Sequence, residues 1–133
     1  MNAPTELSPL LAPRMVAPAM LEALQARFGD RCSTATAVRE QHGRDESPFP
    51  TTPPDAVVFC QSTDEVAVVI RLADEHAVPV IAYGTGSSLE GHLLAVQGGV
   101  SVDVSGMTGI VRLNPEDLTV TVQRAGEADV KET

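Results

Sequence analysis

The chain has 133 residues, of which 43% are hydrophobic and 20% charged, enough for one domain with a real core and too few for two ordinary ones. Acidic residues outnumber basic ones 18 to 9, for a net charge of −9. The basic stripe of a nucleic-acid surface is missing, and docking to an anionic membrane surface is equally disfavoured.

No apolar run reaches the ~20 residues that cross a bilayer. The amino terminus carries Glu6 and scattered prolines in place of a basic start and an apolar block, so it does not read as a signal peptide, and a cytoplasmic protein is expected. With no Trp, one Tyr and three Phe, the core must come from Val, Leu, Ile and Ala. Cys32 and Cys60 are too few and too far apart for a disulfide framework, and His42, His76 and His92 show no ligand spacing. No metal site is expected.

Residues 1–17 contain Pro4, Pro9 and Pro13, which deny a helix its ladder, so a mobile arm is expected there. Leu21, Leu24 and Phe28 then recur at helical spacing, with Pro18 in the first turn and Gly29 as a stop; this predicts a helix over 19–28. Ser33 and Thr34 are candidate caps for a shorter helix through Val38 to Gln41, ending near Gly43. The proline-rich stretch 44–55 reads as an extended connector. Residues 56–60 form an apolar, β-branched run typical of a buried strand. Ser62 and Glu65 have capping-box spacing, and Val66, Val69, Ile70 and Ala73, with Ala77 continuing, form the apolar face of the helix that follows. Pro79 ends it, and 80–82 reads as a second strand. Strand, helix and strand make a βαβ unit, which predicts two parallel neighbours joined right-handedly.

Later, Val100, Val102 and Val104 alternate with Ser101, Asp103 and Ser105, the pattern of a half-buried strand with one polar face. Residues 110–113 and the alternating Leu118, Val120 and Val122 flank a turn with Pro115 in a type I position, and a hairpin is expected. Residues 127–133 are polar and aperiodic, a tail expected to fray.

The stretch that asks for a chemical explanation follows the second strand: Tyr83, Gly84, Thr85, Gly86, Ser87, Ser88, Leu89, Glu90, Gly91, His92. Glycine lets a ligand approach the backbone, and the hydroxyls add donors beside exposed N–H groups, a combination suited to an anionic, phosphate-like group. The same residue types also make ordinary connectors. A position at the carboxyl end of a parallel strand, where open α/β sheets bind ligands, favours the ligand loop. The common nucleotide motifs fail here: Leu89 stands where a Rossmann fingerprint needs its third glycine, and His92 and Leu93 stand where a P-loop needs lysine and a hydroxyl. No Arg or Lys lies between Arg71 and Arg112.

The run from Pro79 to His92 resembles the FAD diphosphate loop of the vanillyl-alcohol-oxidase-type, or PCMH-type, flavoproteins, most of all their D-lactate dehydrogenase and glycolate oxidase branch. Residues 44–47, 54–77, 98–107 and 114–120 resemble the family's flanking segments in the same order, so the likeness covers about 19–125. It implies an α+β, PCMH-type FAD-binding fold: a small parallel α/β subdomain followed by the start of an antiparallel one, with 18–126 as the first part of a truncated flavin domain. It also implies that Tyr83, Gly84, Thr85, Gly86, Ser87 and Ser88, with Gly91 and His92 less directly, line the FAD diphosphate. Ser87 stands where some relatives attach flavin to a histidine, which implies non-covalent FAD. The catalytic residues of the lactate branch lie beyond this stretch, so none is assigned. His92 reads as a hydrogen-bonding or surface residue, and Asp103 as solvated or paired. The resemblance makes the chain an amino-terminal piece of a flavin-dependent 2-hydroxy-acid dehydrogenase, inactive alone, whose uncovered sheet edges favour self-association. The competing reading is a binding or interaction module on the same scaffold without redox chemistry.

Overall fold

The computed structural model describes residues 15–123. The expected arm at 1–17 falls almost wholly, and the expected tail at 127–133 entirely, outside them. Helix α1, Pro18–Phe28, starts on its proline and stops where Gly29 turns left-handed at φ 57° and donates its N–H to Gln25. Its buried stripe is Met20, Leu24 and Phe28, four residues apart, so Met20 takes the place expected of Leu21, which is only half-buried. A single 3₁₀ turn leads into strand β1, Cys32–Ser33. Ser33 is therefore a strand residue and not a cap; helix α2, Thr36–His42, begins on Ala35 without a side-chain cap.

Strand β2, Ala56–Phe59, leads to helix α3, Thr63–Glu75. Only half of the capping box forms. The Ser62 hydroxyl accepts from the Glu65 N–H at 3.2 Å, but the Glu65 carboxylate pairs with Arg31 instead of returning to the Ser62 backbone. The helix ends earlier than the apolar pattern indicates, because Ala77 turns left-handed at φ 52° and Val78 donates back to the Ala73 carbonyl at 2.9 Å.

Strand β3, Val80–Tyr83, does not lie beside β2. Strand β4, Val100–Asp103, enters between them, and the sheet order is β1-β2-β4-β3. The strands β2, β4 and β3 are parallel and level: Phe59, Asp103 and Tyr83 occupy one rung at their carboxyl ends. The central place also corrects the polar face expected of β4, since all four of its residues are buried. Helices α1 and α3 cover one face, where Met20, Leu24, Phe28, Val69 and Ala73 meet Ala56, Val58, Val100 and Val102.

Strands β5, Ile110–Asn114, and β6, Thr119–Val122, form the expected antiparallel hairpin. Leu118 belongs to its turn, at φ 55° and 92% exposed, and not to the strand. Ile110, Val111, Leu113, Val120 and Val122 all retain solvent exposure. Among the described residues no helix is long and apolar enough to cross a membrane.

Left-handed backbone costs an L-residue roughly 1–2 kcal/mol. Ala77 is exposed, so its methyl packs little. Ala77→Gly is expected to stabilise the chain by about 0.5–1 kcal/mol, read as a higher urea midpoint at an unchanged slope.

Candidate functional site

The glycine loop leaves the carboxyl end of β3 as expected, and the connector 44–55 folds back to hold it. Glu46 N–H donates to the Ser88 carbonyl at 3.0 Å, and Phe49 packs against Gly91. Gly86 and Gly91 sit at φ 77° and 79°, conformations that an L side chain adopts only with strain. A methyl added at Gly86 would also overlap the Tyr83 hydroxyl, whereas one at Gly84 would meet open space.

The Thr85 and Ser87 hydroxyls face each other at 2.9 Å, and the Ser88 hydroxyl meets His92 Nδ1 at 3.2 Å. The N–H groups of Thr85, Gly86 and Ser87 take no backbone partner among the described residues. A run of free N–H groups beside exposed hydroxyls and an open glycine fits an anionic group. The ring of His92 is largely exposed and 4.0 Å from Glu90. It stands at the outer end of the loop.

Two depressions flank the loop. One is an apolar cleft of about 860 Å³ between β3, α3 and the hairpin, reached by Gly84, Thr85, Val66, Ile70, Val102 and Val122. Ile70, expected on the buried face of α3, is 47% exposed because it opens into this space. The other is a polar pocket of about 280 Å³ lined by Gln41, Arg44, Asp45, Glu46, Tyr83 and Gly86. Arg44 thus brings to the loop a cation that its own stretch lacks.

Beneath Tyr83 lies a pair that spacing alone does not reveal. His42 is 2% exposed and Asp103 4%, and His42 Nε2 stands 2.7 Å from Asp103 Oδ2. His42 Nδ1 is 2.8 Å from the Val38 carbonyl. The Tyr83 ring lies over the imidazole, with centroids 4.2 Å apart, and Phe59 meets it edge-on at 5.5 Å. Asp103 also accepts the N–H of Ser105 at 2.8 Å. Burial acts to lower the pKa of His42, but its hydrogen bonds to Asp103 and Val38 and the charge of Asp103 outweigh burial and raise it. Burial likewise acts to raise Asp103, yet the bonds from His42 and Ser105 bring it below its ordinary value. Tyr83 is raised, first by burial and then by the Asp103 charge.

The two cysteines are buried and free; burial above all pushes Cys60 up to about 11, so its thiol stays protonated near neutrality. No cluster of three or more potential metal ligands occurs among the described residues.

Residues 54–128, more than half of the chain, match the family described as FAD binding domain. The chain belongs to this family. Its cofactor is FAD. The Danio rerio protein named "Probable D-lactate dehydrogenase, mitochondrial" is 46% identical over 91 residues, covering 68% of this chain and 18% of that protein. The glycolate oxidase subunit GlcD of Bacillus subtilis (strain 168) is 30% identical over 100 residues, covering 75% of the chain and 21% of the relative. This flavin-domain chain therefore spans about a fifth of the length of these relatives. A solved alkyldihydroxyacetonephosphate synthase superposes with a TM-score of 0.72 at 24% identity, covering 84% of the chain and 25% of the synthase. The fold is the PCMH-type FAD-binding α+β fold, with its parallel sheet and an antiparallel hairpin.

The shifts of the buried pair set a pH window. His42 is raised, so its contribution is complete below the ordinary value of 6.5 and is lost as pH rises through the higher folded value. Asp103 is lowered, so its contribution is complete above 3.8 and is lost as pH falls through the depressed value. Wild-type stability to urea is expected to be greater near about pH 5.5 than near about pH 8.5. His42→Phe leaves a buried carboxylate uncompensated, with an expected loss of about 3–5 kcal/mol at the lower pH and a much flatter pH profile.

Proposed function

We propose that this chain is the diphosphate-holding first part of the flavin domain of an FAD-dependent 2-hydroxy-acid dehydrogenase or oxidase of the D-lactate or glycolate type. The observation that carries the reading is the loop at the end of β3, with an open Gly84 and with N–H groups at Thr85, Gly86 and Ser87 that take no backbone partner among the described residues. Those groups, with Tyr83 beneath and Ser88, Gly91 and His92 along the outer arc, would hold the diphosphate, and Arg44 would offset part of its charge. FAD is held without a covalent bond, since Ser87 offers no ring nitrogen at the attachment place. When bound, FAD supplies the two-electron acceptor for oxidation of a hydroxyl-bearing carbon. The chain's own part is to bind and orient; the groups that recognise a 2-hydroxy acid belong to further protein, so turnover by this chain alone is absent. A cytoplasmic location rests on composition alone, whereas the name of the Danio rerio relative places that protein in mitochondria. Fractionation of the tagged protein decides between the two compartments.

The diphosphate reading is tested by titrating ¹⁵N-labelled chain with FAD and with riboflavin, which lacks the diphosphate. FAD is expected to bind weakly, to be lost on dialysis, and to shift the Gly84–Ser88 amides, while riboflavin leaves them in place. Gly86→Val abolishes the FAD response. Equal responses to FAD and riboflavin, or none to millimolar FAD, defeat the reading.

The exposed apolar residues of the hairpin support self-association of the isolated chain. Light scattering is expected to show an average mass above that of the monomer, rising with concentration. Val111→Lys together with Leu113→Lys should return it toward the monomer value.

A further inference from the structure

We propose that His42 and Asp103 form a proton-operated strut beneath the cofactor loop, positioning Tyr83 and through it the turn at Gly86, so that a bound diphosphate is held more tightly while His42 carries both ring protons. The proposal rests on the reading of this loop as the FAD diphosphate site. His42 is a positioning residue here, with Tyr83 between it and the ligand.

The protonation state follows from the partners. The Val38 carbonyl and the Asp103 carboxylate, at 2.8 and 2.7 Å, are both acceptors, and neither can donate. A neutral imidazole has one N–H and satisfies only one of them; the imidazolium satisfies both. Because the ring is almost fully buried, water does not readily replace the lost bond. Deprotonation therefore leaves a ring nitrogen facing an oxygen across a contact that has become repulsive.

The mechanical path is short. The Tyr83 ring packs against the imidazole at a tilt of 42°, with centroids 4.2 Å apart, and its hydroxyl fills the space beside Gly86 where a methyl would have to go. The Tyr83 backbone is fixed, since its carbonyl accepts from Val104 N–H at 3.0 Å and its residue pairs with Asp103 in the sheet. The side chain and the loop beyond it are what can move when the imidazole shifts. An electrostatic effect acts in the same direction: without the imidazolium, the Asp103 charge is no longer balanced one side chain away from an anion site.

The titratable and charged groups around His42 are few. Asp103 meets it from β4 and Tyr83 from β3; Phe59 from β2 is uncharged. Arg44 follows α2 and acts on Tyr83, opposing the effect of Asp103, and Asp45 and Glu46 share its pocket. Of these groups, His42 is the one whose ordinary value lies near neutrality.

The test uses the whole 133-residue chain, labelled with ¹⁵N, and three readouts between about pH 5.5 and about pH 9. The imidazole nitrogen shifts follow His42, and the amide shifts of Gly86 and Ser87 follow the loop. FAD affinity is measured over the same range by flavin fluorescence. The Gly86 amide is expected to titrate with the midpoint of His42, and FAD affinity to fall about fivefold or more across it. His42→Gln removes both responses. Tyr83→Phe, which keeps the ring against the imidazole and loses the hydroxyl, leaves the His42 titration and shrinks that of Gly86. This second variant decides the matter if His42→Gln does not fold.

The strut is overturned if Gly86 stays still while His42 titrates, if His42 remains doubly protonated throughout, or if FAD binds with no dependence on pH. Should Gly86 follow His42 while FAD fails to bind, the strut stands as a device of the loop, and the cofactor reading is what falls.

Discussion

A carboxylate at the end of a strand buried on both faces needs a counter-charge and hydrogen bonds, because burial penalises the ionised form heavily. Asp103 is such a group, and its requirement organises the surroundings. Helix α2 must end where His42 reaches it, and Ser105 must turn back to cap its other oxygen. Tyr83, on the same rung, then closes over the imidazole. The glycine loop starts from that tyrosine, so its first residues inherit their position from a charge pair brought together from places 61 residues apart.

The sequence showed the elements more readily than their neighbours. Helices α1 and α3 were legible because Pro18, Gly29 and Ser62 punctuate apolar stripes, and the hairpin because Pro115 sits between two short runs. The order of strands was not legible. Local periodicity says that β2, α3 and β3 form a unit, but it carries no information about a strand arriving later to pair with both. The same blindness explains β4: alternation of Val with Ser and Asp reads as one wet face, and only the central position shows that the face is covered. Tertiary demand overrode local chemistry at two further points. Glu65 took Arg31 instead of its own helix terminus, and Ser33 took a strand position instead of a cap.

The candidate site divides along the same line. Its backbone part, the glycines and hydroxyls after Tyr83, was legible because unusual backbone conformations demand particular residues. Its charged part was not. Arg44 and His42 lie some forty residues earlier, in or beside a helix whose sequence looks ordinary, and their approach depends on how the proline-rich connector returns. The apolar cleft and the exposed hairpin add a separate physical demand. A two-stranded hairpin with both faces in water is marginal, so this part of the molecule gains little rigidity from its own packing.

The late arrival of β4 has a consequence for how the chain folds as it leaves a ribosome. When Tyr83 has emerged, β2 and β3 are both available, yet they make no pairing with each other in the finished sheet. Apart from the two-residue β1, nothing templates them until residues 100–103 follow. Two apolar strands must therefore wait through the synthesis of the entire glycine loop. The pairing that joins β2 to β3 thus spans the whole glycine loop, a non-local closure that only β4 can make.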